Sequence, residues 1–154
     1  MTQKQPGPST RSVHLMRSVD PVTHALVPPI VMNASFAYDD VDTWKAVALK
    51  QLPGDIYSRN SNPTARLFEQ KVAALEGAAA ATSFATGMAA ISTTLFALLS
   101  SGQRAVSVKD TYGGTYLHFA QFLPRFGIEC TVCDTEDQAL IEAEIAKGCD
   151  LLYL

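Results

Sequence analysis

Three short stretches combine residue types and spacings that could do chemistry. The first is Tyr57-Ser58-Arg59-Asn60-Ser61-Asn62-Pro63-Thr64. An arginine in an Asn/Pro-flanked turn offers a planar fork of donors to an anion such as phosphate, and Tyr57, two residues earlier, can point the same way. The second is Ala85-Thr86-Gly87-Met88. At a helix start its free backbone N–H groups suit a phosphate, Gly87 allows close approach and Thr86 adds a hydroxyl. The third, Asp110-Thr111-Tyr112-Gly113-Gly114-Thr115, sets Tyr112 beside two glycines, where a ring can stack on a planar group and a phenol can move a proton. Taken alone, each has a plainer account: a solvated turn ahead of a helix, a glycine used for packing, and a turn tyrosine half-buried against a sheet. No Walker or Rossmann glycine pattern strengthens the second stretch.

The elements that must hold these stretches can be read from periodicity. Residues 1–56 lack a sustained period and carry Pro6, Pro8, Pro21, Pro28, Pro29 and Pro53, which interrupt both ladders and helices. They read as an extended N-terminal arm with one short helix near Asp42 to Lys50, capped by Asp40 or Asp42. An arm containing PPIVMNASF needs an apolar surface to lie on, and a neighbouring subunit is one source. From Thr64 the spacing of Phe68, Val72 and Leu75 predicts a helix to Glu76, stopped by Gly77. Ala78 to Phe84 reads as a buried strand and Gly87 to Leu99 as a helix. Arg104 to Val108 then reads as a strand, Thr115 to Arg125 as a helix, Ile128 to Asp134 as a strand, Glu136 to Lys147 as a helix and Asp150 to Leu154 as the start of another strand. Strands alternating with helices in this way predict an α/β fold with right-handed crossovers and a mainly parallel sheet. Ligands of such sheets bind where strand ends feed helices, which is where the second and third stretches fall. The final apolar run meets no turn or cap, so residues 57–154 read as the first part of a larger domain, or as a piece whose sheet another chain completes.

Composition excludes several classes. The chain has 154 residues, twelve basic and fifteen acidic side chains and a net charge of −3, so it carries no footprint for nucleic acid or an anionic membrane. The polar opening MTQKQPGPSTRS lacks a signal-peptide core, and no apolar run is long enough for a membrane span, which makes a cytoplasmic protein the default. Cys130, Cys133 and Cys149 are an odd number and read as reduced thiols. Cys130 and Cys133 form a CxxC, but residues three apart on a strand face opposite sides and no second ligand pair accompanies them. His14, His24 and His118 show no metal spacing.

Taken in order, THALVPPIVMNASF, YSRNSNPTARLFEQKVAALEG, ATGMAAI and DTYGGTY resemble the Cys/Met-metabolism enzymes that depend on pyridoxal phosphate (PLP). That family includes methionine γ-lyase, cystathionine γ-synthase, cystathionine γ-lyase and the O-acylhomoserine sulfhydrylases. The resemblance runs over nearly the whole chain from about Thr10. It implies a fold-type I, aspartate aminotransferase-like PLP-binding domain and γ-elimination or γ-replacement on a sulfur amino acid or O-acylhomoserine. By the resemblance, Gly87 and Met88 give backbone amides to the cofactor phosphate, and Tyr112 stacks on the pyridine ring and assists proton transfer. Tyr57 and Arg59 are implied to reach across a dimer interface to the phosphate of the neighbouring subunit, usually within a homotetramer built as a dimer of dimers.

The resemblance also implies what to look for elsewhere. Lys4, Lys45, Lys50, Lys71, Lys109 and Lys147 all lie outside the Ser/Thr-rich context of the family's cofactor-linking lysine, which is expected downstream together with the pyridinium-pairing aspartate and the carboxylate-binding arginine. These residues alone are therefore expected not to catalyse, and an inactive fragment acting only by subunit association is the competing reading. Ile56 stands where cystathionine-processing relatives tend to carry an acidic residue, which favours a methionine γ-lyase or O-acylhomoserine sulfhydrylase type of substrate. Gly114 stands where methionine γ-lyases typically carry a cysteine, which counts against the strict form of that enzyme.

Overall fold

The structure, a computed structural model, describes residues 7–14 and 24–154. Lys4, Pro6, Pro21 and Thr23, which entered the sequence reading, lie outside the described residues. Two compact units divide the chain between Ser83 and Phe84.

The first unit holds three helices: α1 (Pro8–His14), α2 (Val41–Ala48) and α3 (Pro63–Glu76). Helix α1 was not foreseen, because Pro8 was read as a breaker whereas proline is well tolerated at a first helical position. Helix α2 is capped by Asp40, whose carboxylate accepts from the Thr43 amide at 2.7 Å. That bond to the Thr43 amide, and then the one to its hydroxyl, holds the Asp40 carboxyl below its ordinary range. In α3, Asn62 accepts from the Thr64 amide at 2.8 Å, Pro63 begins the helix, and Gly77 ends it at φ 68°. The left-handed value is one that glycine adopts without a Cβ penalty. The arm is stitched to the turn after Asp55. Ser35 and Tyr57 form an antiparallel bridge, Phe36 N–H donates to the Ile56 carbonyl at 3.0 Å, and Ser58 N–H donates to the Ala34 carbonyl at 2.8 Å. Its apolar side chains Leu26, Val27, Ile30 and Met32 remain exposed.

The second unit is an α/β layer. Its parallel sheet runs β2-β1-β3, with β1 (Arg104–Val108) between β2 (Glu129–Cys133) and β3 (Leu151–Tyr153). Helix α4 (Gly87–Leu98) precedes β1, α5 (Gly113–Leu117) follows it, and α6 (Gln138–Ala146) joins β2 to β3. Val106 and Ala105 of the central strand are fully buried, as a strand covered on both faces requires. Leu95 and Leu99 of the α4 segment, Ala105, Phe119, Leu123 and Ile128 form the core.

Two sequence expectations differ from the structure. Residues 78–84 form no strand: a strand exists by pairing, and no neighbouring strand among the described residues meets this run of small residues. Instead Glu69 accepts from both the amide and the hydroxyl of Ser83. The single helix expected from Thr115 to Arg125 begins earlier, at Gly113. It passes through a π turn (His118–Phe122) into a 3₁₀ turn (Leu123–Phe126). Pro124 lacks the N–H a continuing α-helix would use, and the widened turn carries the chain toward it while Phe119 and Leu123 stay buried.

Arg104 fastens this layer together. Its guanidinium donates to Glu129 at 3.0 Å, to the hydroxyl of Thr131 at 2.9 Å, to the carbonyls of Glu144 and Gly148 at 2.9 and 2.8 Å, and to the Glu144 carboxylate. Asp150, just before β3, accepts from the Arg104 amide at 2.8 Å. One side chain thus ties the start of β1 to β2 and to the C-terminal end of the α6 crossover. The hydrogen bond from Lys147, then the charge and hydrogen bonds of Arg104, hold the Glu144 carboxyl below its ordinary range. A lowered carboxylate pKa contributes stability that is present above the unfolded value and lost as pH falls through the folded one. Denaturant midpoints of the wild type should therefore drop on acidification below the usual carboxylate range, and Glu144→Gln should flatten that drop. Phe119→Ala, which empties the largest fully buried position, should cost about 3–5 kcal/mol at any pH in the same unfolding measurement.

Candidate functional site

The second unit brings two of the three stretches together. Thr86 caps α4 in an extended conformation, and its hydroxyl accepts from the Ala89 amide at 3.0 Å while its carbonyl accepts from the Ala90 amide at 3.1 Å. The first turn of any helix has amides with no carbonyl behind them. Here the cap satisfies Ala89 and Ala90, so Gly87 and Met88 keep unused N–H groups at the positive end of a twelve-residue helix. A Cβ at Gly87 would meet nothing within 4 Å, so the space beside this residue is open.

Tyr112 stands at the start of α5 and is 71% exposed. Gly114 links it to the α4 terminus: a Cβ there would lie 3.0 Å from Met88 Sδ and 3.0 Å from Tyr112 Cε1. The thioether of Met88 and the edge of the Tyr112 ring therefore close on the space that glycine leaves. Thr115, fully buried, donates its hydroxyl to Met88 Sδ at 3.8 Å. His118 Nδ1 lies 2.9 Å from the Gly114 carbonyl, a contact that places the ring proton on Nδ1. On the same loop Thr111 has a buried hydroxyl with no hydrogen-bond partner among the described residues. In the sequence Thr111 and Thr115 stood only as neighbours of Tyr112, and His118 was weighed only as a metal ligand, so none of the three was given a role here.

The loop is anchored on its other side by Lys109. Its ammonium meets the Asp134 carboxylate at 2.5 Å, and its amide donates to the Cys133 carbonyl at 3.0 Å. The hydrogen bond and charge of Asp134 raise the Lys109 pKa, and the same bond lowers that of Asp134. At neutral pH Lys109 is a charged, paired group that fixes the strand ends, with no lone pair to act as a nucleophile.

Tyr57 and Arg59 lie in the first unit. The Tyr57 carbonyl accepts from the Asn60 and Ser61 amides at 2.9 and 3.2 Å, closing a tight turn. The Arg59 guanidinium lies 5.0 Å from the Tyr57 ring centroid, a cation–π stack. Among the described residues it makes no hydrogen bond or ion pair, in contrast to Arg66, which is paired with Asp55, and to Arg104. Its fork of donors is therefore unused.

Cys130 and Cys133 are held as thiols rather than thiolates. Burial, helped by Glu129, pushes Cys130 up to about 11, and burial raises Cys133 as well. Cys130 packs against the core cluster, whereas Cys133 feels Glu144 and Arg104, in keeping with opposite faces of β2. Among the described residues no group of His, Cys, Asp and Glu could hold a metal ion, and no helix is long and apolar enough to cross a membrane.

Two unsatisfied amides at a helix start, an exposed tyrosine ring beside them and an orphaned hydroxyl on the same loop suit a ligand with a phosphate and a flat ring. The family model described as "Cys/Met metabolism PLP-dependent enzyme" matches residues 9–154. L-methionine gamma-lyase of Pseudomonas putida is 34% identical over 154 residues, an alignment that covers 99% of this chain and 38% of the relative. Homocysteine synthase of Schizosaccharomyces pombe is 35% identical over 145 residues, covering 94% of this chain and 34% of the relative. A Campylobacter jejuni protein assigned as an O-acetylhomoserine (thiol)-lyase, solved with N'-pyridoxyl-lysine-5'-monophosphate, superposes with a TM-score of 0.84 at 31% identity, covering 97% of this chain and 37% of that one. The chain belongs to the Cys/Met metabolism PLP-dependent enzyme family. It spans less than two-fifths of the length of these relatives.

The helix-start geometry can be tested without altering the helix. Thr86 already has the extended backbone that a residue before proline adopts, and proline is favoured at a first helical position. Gly87→Pro should keep the circular dichroism of the fold yet weaken PLP binding by tenfold or more, on the order of one hydrogen bond to a charged group. Gly87→Ala, which keeps the N–H and enters open space, should bind within about twofold of the wild type, the scale of a change that leaves the donor in place. Absorbance titration of the cofactor-free protein reads both.

Proposed function

We propose that this chain forms the phosphate-binding and ring-stacking part of a PLP-dependent enzyme that carries out γ-elimination or γ-replacement on a sulfur amino acid or an O-acylhomoserine. The reaction it fits best is of the methionine γ-lyase type. O-acylhomoserine sulfhydrylase is the nearer alternative, and cystathionine γ-synthase or γ-lyase the more distant. The observation that carries the reading is the pair of unused amides at Gly87 and Met88 beside the Tyr112 ring.

PLP supplies an electron sink for the charge left on substrate carbon when a proton is removed. The chain's own residues have separate tasks. Gly87 and Met88 donate their amides to phosphate oxygens, and the helix end adds its positive potential. Arg59 brings a permanent charge and a fork of donors to the same anion, and Tyr57 adds a hydroxyl while its ring holds the guanidinium in place. Their site is the neighbouring subunit's cofactor in a dimer of dimers. Tyr112, exposed at the start of α5, would stack on a flat ring held there, and its hydroxyl would be the group able to move a proton. Gly114 leaves the room that lets Tyr112 and Met88 sit against each other.

Substrate choice is supported by the groove next to Ile56. This open groove, of about 950 Å³, has Trp44, Val47, Leu52, Pro53 and Ile56 among its lining and no acidic side chain. Asp55 is buried and committed to Arg66. Among the described residues lining this groove no free carboxylate could pair a distal ammonium, which favours a small or uncharged γ-substituent.

An inactive subunit-association fragment is the second reading. It is favoured by the lysines: Lys109 is held by Asp134 and Lys147 by Glu144, so neither is available as the cofactor-linking amine. Borohydride reduction separates the two. A cofactor band trapped on a lysine of the complete protein supports the enzyme, and absence of any such band overturns it. For the reaction itself, turnover of methionine, or of O-acetylhomoserine with sulfide, should exceed that of cystathionine, and exclusive turnover of cystathionine would refute the Ile56 argument. Arg59→Ala should weaken PLP retention by roughly tenfold, as loss of a charge-assisted contact implies. Unchanged retention removes Arg59 from the site.

A further inference from the structure

Residues 54–58 are held by an unusual concentration of polar ties, and all of them converge on the backbone that carries Tyr57 and Arg59. The Tyr38 hydroxyl donates to the Asp55 carbonyl at 3.0 Å and accepts from the Asp55 amide at 3.2 Å, so a single phenol satisfies both backbone groups of one residue. The Asp55 carboxylate, with only 8% of its side chain exposed, takes the Arg66 guanidinium from α3. Gly54 permits this arrangement. A Cβ there would lie 2.4 Å from Tyr38 Oη and 2.9 Å from Val47 Cγ1. On the far side of Tyr57, the hydroxyl of Ser58 donates to the Asn33 carbonyl. Asn62 donates to the Val31 carbonyl at 3.1 Å and to Ser58 Oγ at 3.0 Å. The side chains of Tyr57 and Arg59 take no part in any of these bonds.

We infer that Asp55, Arg66 and Tyr38 are positioning residues that fix the Tyr57–Arg59 turn for anion binding. This rests on the phosphate-binding reading of Tyr57 and Arg59. A fork of donors on a long side chain loses rotational freedom when it binds, and a backbone already fixed reduces what must be ordered at that moment. The buried carboxylate has a second effect. It neutralises Arg66, the cation nearest in sequence on α3, and so leaves Arg59 as the unpaired guanidinium of this turn. Removing the Asp55 charge frees Arg66 and loosens the backbone without touching either side chain that meets the anion.

Apparent affinity for PLP, measured by absorbance titration of the complete protein after cofactor removal, reads the effect. Amide hydrogen exchange of residues 56–61 in the cofactor-free protein reads the cause. Asp55→Asn and Tyr38→Phe should each lower PLP affinity by roughly tenfold, equivalent to one buried hydrogen bond to a charged or preorganised group. Each should speed exchange in residues 56–61 by a similar factor while exchange in residues 104–108 stays as in the wild type. In an Arg59→Ala background, Asp55→Asn should cost clearly less affinity than it does in the wild type, because only the Tyr57 hydroxyl is left to position. Additive losses, or unchanged affinity in both single variants while Arg59→Ala weakens binding, overturn the positioning role and leave the phosphate-binding reading standing. An Arg59→Ala protein that binds PLP like the wild type overturns that reading and this inference together. If Asp55→Asn fails to fold, Tyr38→Phe, which deletes one hydroxyl and preserves the ring, decides the matter alone.

Discussion

A helix cannot satisfy its own first amides, and the proposed site depends on how this chain disposes of them. At the start of α4 the Thr86 hydroxyl and carbonyl take the amides of Ala89 and Ala90. What remains is a matched pair of donors, Gly87 and Met88, side by side at the positive helix end. Had Thr86 been a residue without a side-chain acceptor, three amides would compete for solvent and the cap would be weaker. Everything around the pair preserves access to it. Gly87 has no Cβ, Gly114 keeps the Met88 thioether and the Tyr112 ring from being pushed apart, and the Lys109–Asp134 pair holds the strand ends from which the Tyr112 loop departs.

The sheet that supports this end is small, and one cation organises it. Arg104 sits at the opening of the central strand and reaches Glu129, Thr131, Glu144 and Gly148, so the register of β1 against β2 and the path of α6 are fixed by the same side chain. Charge in this unit is used at the strand starts for architecture and at the strand ends for anchoring. The proposed cofactor end is thereby left with backbone donors and an aromatic ring. Arg59 is the counterpart in the first unit: a cation stacked on Tyr57 with its donors unspent.

Much of this was legible in the sequence where a local rule decides the outcome. Asn62-Pro63 with Gly77 bracketed α3, the α2 cap was narrowed to Asp40 or Asp42, of which Asp40 caps it, and the β-branched runs around Val106 and Val132 marked strands, because caps and short apolar runs act within a few residues. The helix start at Gly87 and the strand-to-helix turn at Tyr112 were legible for the same reason, although among the described residues no strand feeds the first of them. What was not legible depends on partners distant in the chain. Residues 78–84 looked like a strand by composition, yet strand character requires a neighbour that residue types do not reveal. The π and 3₁₀ turns after Leu117 follow from how Phe119 and Leu123 reach the core ahead of Pro124, a matter of packing that periodicity averages away. The bracing of Asp55 by Tyr38 and Arg66 spans seventeen and eleven positions, and no motif of these residues announces it.

Phosphate recognition by the amides of Gly87 and Met88 is tested most directly by amide proton shifts in ¹⁵N–¹H spectra of the complete protein, titrated in parallel with PLP and with dephosphorylated pyridoxal. If those two N–H groups hold the phosphate, both resonances move downfield with PLP and stay in place with pyridoxal. If they respond alike to the two ligands, or to neither while PLP binds, the phosphate lies elsewhere and the proposed site is wrong.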